Sequence, residues 1–186
     1  MITRETSRGK VPYAASAIRF EKQPMKIPAQ YPAPESFLAA LTQPFDSIAG
    51  RRVVEPFGIA WSDAIALDRG LDIYHISAPP AGIHLTFKHE GMVFDHDYPD
   101  DGKGPFLLTD CAFWGDVESF ESYKGPIWRN LTFSDTIADA EGKLGPPTKV
   151  GRYDIHAWEL PDFKLTIHWK SPNSIRVISY WMKQRD

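Results

Sequence analysis

The chain has a single cysteine, Cys111, so no disulfide can form within it. No run approaches the ~18 apolar residues of a membrane-spanning helix. The first ten residues are polar, with no apolar segment behind them that would mark a secretory leader. A basic surplus is also missing. The formal net charge is −3, which argues against a general binder of nucleic acid or anionic membrane. These absences together predict a cytoplasmic protein.

Signatures of common chemistry are missing too. There is no Gly-x-Ser-x-Gly nucleophile elbow, no Gly-x-Gly-x-x-Gly dinucleotide turn and no Gly-Lys-Ser/Thr phosphate loop. Asp95 and Asp97 match positions 1 and 3 of a calcium loop, but Pro99, Asp100 and Phe106 stand at positions 5, 6 and 12, where the motif fails. Cys111 lies in an apolar stretch and reads as a buried, inert thiol. No cofactor is expected.

What the chain has is 186 residues, ordinary apolar and charged fractions and 13% aromatics, including 6 Trp. That is enough for one domain with a sizeable core, and flat rings suit pleated surfaces. Residues 1–34 read as an extended N-terminal arm, with three prolines between Lys26 and Pro34. Residues 35–186 read as a single α+β domain, with 35–118 and 119–186 as an alternative division into halves.

A short helix is predicted from Pro34 to Leu41, and another near Asp46. Strands follow at 71–77 and 83–89. In the second, Ile83, Leu85 and Phe87 alternate with His84, Thr86 and Lys88. Glu90-Gly91 is expected to turn the chain into a strand from Met92 to Asp95, and 105–114 is a further strand. A helix is expected to start in Thr132–Asp135, with Ile137, Ala140 and Leu144 as its buried stripe and Gly145-Pro146-Pro147 as its stop. A three-stranded meander over 152–160, 163–170 and 175–182 closes the chain. The fold class is therefore α+β: antiparallel β-meanders with a few short helices.

Two stretches share an order of features. Asp46-Ser-Ile-Ala49 matches Asp135-Thr-Ile-Ala138, and Ile83-His-Leu-Thr-Phe-Lys88 matches Phe163-Lys-Leu-Thr-Ile-His168. The offset drifts from 89 to 80 residues. Two degenerate helix-plus-meander repeats and a chance match both fit.

The candidate functional residues are few. The best metal grouping is His89 with Glu90, Asp95, His96 and Asp97, though its spacing matches no zinc signature. His84, His156 and His168 fall at expected solvent-facing strand positions. The loop Asp95-His-Asp-Tyr-Pro-Asp-Asp-Gly102 reads as a solvated anionic surface. Most of the tryptophans fall in strands, where core packing is expected. Trp128, in Gly125-Pro-Ile-Trp-Arg129, lies outside them and is the best exposed aromatic.

Across the last ~60 residues, Leu131-Thr-Phe-Ser-Asp-Thr-Ile, Lys143-Leu-Gly-Pro-Pro147, Trp158, Leu165-Thr-Ile-His-Trp169 and a final strand form a pattern. It resembles small bacterial immunity proteins that neutralise toxins delivered by neighbouring cells. The same grammar is similar to small β-lactamase-inhibitor-like modules. The resemblance implies a protein that binds a cognate toxin and occludes its active site, without a metal or catalytic group of its own. Charge complementarity would then give Asp95, Asp97, Asp100 and Asp101 a basic toxin cleft to meet, with Tyr98, Tyr123 and Trp128 as aromatic anchors. Two other classes remain beside it: a metal-dependent hydrolase using His89, Asp95, His96 and Asp97, and a non-catalytic ligand-binding or scaffold domain.

Overall fold

A computed structural model describes residues 25–68, 71–94 and 104–183. Helix α1 (Pro34–Ala40) starts on a proline, whose missing N–H costs nothing in a first turn. Helix α2 (Ile48–Val54) starts at Ser47, whose hydroxyl accepts from the Gly50 amide at 3.0 Å. Residues 25–33 run without regular structure against the domain. The Lys26 amide donates to the Phe57 carbonyl, and the Tyr31 ring meets Phe57 and Tyr123 edge-on.

Four strands follow: β1 (Ile65–Asp68), β2 (Leu71–Ala78), β3 (Ile83–His89) and β4 (Phe106–Trp114). Between β3 and β4 stands a short helix, α3 (Glu90–Phe94). This corrects the expected turn at Glu90-Gly91 and strand to Asp95. The run Met92-Val-Phe reads as β from composition, but the chain closes one helical turn instead.

After an irregular crossing, helix α4 (Ile137–Leu144) is capped by Thr136, so it begins just past the expected start in Thr132–Asp135. Thr136 accepts from the Asp139 amide, and the Asp139 carboxylate accepts from the Thr136 amide at 2.9 Å, a reciprocal capping box. Asp135 instead accepts from the amide and hydroxyl of Thr132, closing the preceding turn. Four more strands complete the chain: β5 (Lys149–Val150), β6 (Ile155–Glu159), β7 (Phe163–Ser171) and β8 (Ser174–Met182). The expected three-stranded meander thus carries one extra short strand, β5.

All eight strands form one antiparallel sheet in the order β1-β2-β3-β4-β8-β7-β6-β5. Two four-stranded meanders, each preceded by helix, meet along β4 and β8. In the first, Leu85 of β3 is opposite Cys111 of β4; in the second, Leu165 of β7 is opposite Tyr180 of β8. At the seam Cys111 is opposite Tyr180. The register therefore relates the two meanders by an approximate two-fold axis through the Cys111–Tyr180 pair. Strands β3 and β7 share the same burial sequence over their first seven residues. Ser47 and Thr136, matched in sequence, cap equivalent helices.

One sheet face is apolar. Ile76, Ile83, Leu85, Phe113, Leu165, Ile178 and Tyr180 form one cluster with Phe37 of α1, Val53 and Val54 of α2 and Ala140 of α4. Phe37 meets Phe113 edge-on at 4.9 Å. Trp158 donates its indole N–H to the Gly145 carbonyl at the end of α4. The other face carries the residues that alternate with these, and most are polar.

Candidate functional site

The polar face can be laid out from the register. One row across the sheet runs His75, Thr86, Asp110, Trp181, Lys164, Glu159. The next runs Ser77, His84, Ala112, Ser179, Thr166, Ala157. The small residues Thr86, Ala112, Thr166 and Ser179 are buried between the larger ones.

On the side of the first meander, polar atoms form a chain. Ser77 Oγ lies 2.7 Å from His84 Nδ1, and His84 Nε2 lies 3.0 Å from His75 Nδ1. Thr86 Oγ1 lies 3.2 Å from the same His75 nitrogen and donates to Asp110 Oδ2 at 3.3 Å. Burial, reinforced by the His75 ring, pushes the His84 pKa down to about 4, so His84 is neutral at pH 7. Burial also lowers His75, with the Lys88 charge as a second cause. Asp110 is 4% exposed and its Oδ1 has no hydrogen-bond partner among the described residues. Burial raises its pKa to about 7, against the opposing pull of the Thr86 hydrogen bond and Lys88.

A serine hydroxyl beside an imidazole is the geometry of a nucleophile with its base. A histidine held near pKa 4 is a weak base at neutral pH, however, so this pair is poorly tuned for that task. The chain's evident capacity is to hold one proton near Asp110.

Toward one end of the sheet the face opens into a groove of 490 Å³ that spans both meanders, lined by Lys88 and Thr109 of the first, Glu159, Lys164, Trp181, Met182 and Lys183 of the second, and Met92 and Val93 of α3. Lys164 pairs with Glu159 at 3.7 Å. The Trp181 indole donates to Thr166 Oγ1 at 2.9 Å, which fixes the ring, and Trp181 remains 39% exposed. The two lysines share this groove for a topological reason. Strand β3 reads His84-x-Thr86-x-Lys88 and β7 reads Lys164-x-Thr166-x-His168. The two strands run in opposite directions, so the reversed order brings both lysines to the same end of the sheet.

A separate feature lies at the edge of the helical side. Trp128, half-buried, has the Arg129 guanidinium carbon 4.9 Å from its ring centroid and Phe163 packed edge-on at 5.3 Å. Its backbone N–H donates to the buried Tyr180 hydroxyl at 2.8 Å. Arg129 and Asn130 both adopt left-handed backbone angles, φ 57 and 56. Lys143 holds the turn by donating to the Asn130 carbonyl at 2.7 Å. Beside it is a pocket of 270 Å³ among Leu38, Trp128, Leu160, Pro161 and Phe163.

Of the residues selected from sequence, Asp95, Asp97, Tyr98, Asp100 and Asp101 lie outside the described residues, as do Asp95, His96 and Asp97 of the hydrolase reading. Tyr123 is 3% exposed and packs on Phe113 and Tyr31, so it is a core ring and not an exposed anchor. Only Trp128 keeps a partly exposed ring. His89 is buried against Phe106, and its Nδ1 accepts from the Gly91 amide. His156, expected toward solvent, is instead buried beside Trp158 and Trp169, because it shares the apolar-face register with Trp158. Among the described residues no group of three or more His, Cys, Asp or Glu side chains is placed to hold a metal.

The polar chain was missed in sequence because its five members are divided among three strands, two on β2, two on β3 and one on β4. One signal was present: a lone aspartate, Asp110, inside the apolar run Phe106-Leu-Leu-Thr-Asp-Cys-Ala-Phe-Trp114. No protein family matches this chain, and neither does any curated protein or solved structure.

Proposed function

We propose that the protein is a binding protein of the immunity type, which neutralises a cognate toxin by covering its active site. The observation that carries the reading is the Trp128–Arg129 turn. A tryptophan stacked with an arginine is the pair of residue types in which interface energy concentrates. Two consecutive non-glycine residues in left-handed conformation cost of order 1–3 kcal/mol each, and such strain gathers where a chain presents side chains to a ligand. The adjoining apolar pocket offers a partner side chain a place to bury. The C-terminal sequence pattern supplies the toxin as partner class, and the acidic segment Asp95–Asp101 supplies a second contact suited to a basic cleft.

The test is co-expression with the toxin-like product of a neighbouring reading frame. The protein is expected to protect the cell and to co-purify with the toxin. Trp128→Ala and Arg129→Glu should each weaken the complex by about tenfold or more, while the melting temperature of Arg129→Glu stays unchanged. Reversing the charges of Asp95, Asp97, Asp100 and Asp101 together should slow association and make it less salt-dependent. A protein that neither protects nor co-purifies overturns the reading.

A further inference from the structure

The groove on the polar face has features that neither folding nor the toxin-binding reading uses. Lys88 has no hydrogen-bond or ion-pair partner among the described residues, and Lys164 has only the loose pair with Glu159. Lys183 donates to the Leu160 and Pro161 carbonyls at 3.3 and 3.5 Å, long bonds that leave its charge unneutralised. Three ammonium groups thus face one carboxylate around the same 490 Å³. Nothing in the fold requires them to converge. Lys88 and Lys164 meet there because the order of His and Lys is reversed between β3 and β7, and Lys183 joins them from the end of β8.

Between the lysines stands Trp181. An indole whose N–H is already bonded to Thr166 is locked in orientation and offers a fixed ring face. Glu159, held only by the loose pair with Lys164, is the carboxylate among the lining residues.

We propose that this groove binds a planar aromatic anion carrying an N–H or O–H donor. The ring stacks on Trp181, the anionic group lies between Lys88 and Lys164, and the donor is directed to Glu159, the carboxylate that lines the groove. Lysine is a point-charge partner for phosphate and carboxylate alike, so both sources of negative charge fit. A volume of 490 Å³ lies in the range of small-molecule sites.

The test is a calorimetric titration of the full chain with four probes. Adenosine 5′-monophosphate supplies ring, phosphate and amine; 4-aminobenzoate supplies ring, carboxylate and amine. Adenosine lacks the anion, and inorganic phosphate lacks the ring. Saturable binding by at least one of the first two, tighter than either control by about tenfold, is expected, and which one binds identifies the anion. Lys88→Met should weaken it by about tenfold, as should Trp181→Phe to a smaller degree. Neither substitution removes a buried group, so both variants are expected to fold. No saturation by either anionic ring below roughly 1 mM, or binding unchanged in Lys88→Met, overturns the proposal. The titration reads the groove directly, so its outcome is distinguishable from whether the protein protects against a toxin.

Discussion

Strands β3 and β7 have the same length of matched sequence, the same burial pattern and a threonine at the same central position, yet they support different chemistry. Around Thr86 the neighbours are His75, His84 and Asp110, and the result is a closed hydrogen-bonded chain. Around Thr166 they are Lys164, Ser179 and Trp181, and of these Lys164 and Trp181 line a groove together with Lys88 and Thr109 of the first meander. The apolar positions that build the sheet are alike in both meanders, whereas the alternate positions are free to diverge. An antiparallel strand keeps these two sets on opposite faces, so one can change without disturbing the other.

The comparison can be pressed hardest at its core. Leu85 and Leu165 are both fully buried and equivalent in register. Each Leu→Ala variant should lose about 2–5 kcal/mol in urea unfolding, and a gap between them above about 2 kcal/mol would break the equivalence. Next come the turns that enter the two strands. Gly82 has φ 68, and an added Cβ would lie 2.8 Å from the Tyr123 Cα. Gly82→Ala should cost about 3 kcal/mol or more, while Asp162→Ala, at the exposed matching position before β7, should stay within about 0.5 kcal/mol.

The polar faces separate the meanders by pH. The Asp110 pKa is raised in the folded state to about 7. Its contribution is fully present below the unfolded value near 4 and is lost as pH rises through 7. Asp110→Asn should therefore be close to neutral at pH 4 and stabilising at pH 8, by on the order of 2 kcal/mol. His84 acts oppositely. Its pKa is depressed to about 4, so its contribution is present above pH 6.5 and lost as pH falls to 4. Ser179→Ala, the two-fold counterpart of Asp110→Asn, should leave the pH profile unchanged; denaturant titrations at several pH values check both. A smaller effect than that of Asp110→Asn is expected at the helix caps, where Ser47→Ala and Thr136→Ala should each lose about 1 kcal/mol by thermal melting.

Most of the frame was legible in the sequence because it rests on alternation. The runs at 83–89 and 163–170 declared their own buried faces, and proline and glycine marked both helix boundaries. Failures came where neighbours in space decide. Glu90–Phe94 has strand-like residues but coils into α3. His156 looked exposed, yet its register placed it with Trp158 against the core. Tyr123 looked available and is enclosed by Phe113 and Tyr31. The candidate site was less legible still, since Ser77, His84, His75, Thr86 and Asp110 come together only through the pairing of β2, β3 and β4. No spacing within one strand reveals such a chain.

The seam between the meanders is five residue pairs long, joining 110–114 to 177–181. Cut from its twin, either meander would present a nine-residue strand with a row of bare amides and carbonyls along it. Since the contact at Cys111 and Tyr180 is between matching positions, an orphaned half carries the complement of its own border. A polypeptide holding only residues 25–114, or only 131–183, should thus pair its border strand antiparallel with that of a second copy, about a two-fold axis, rebuilding between molecules the ladder that one continuous chain now supplies.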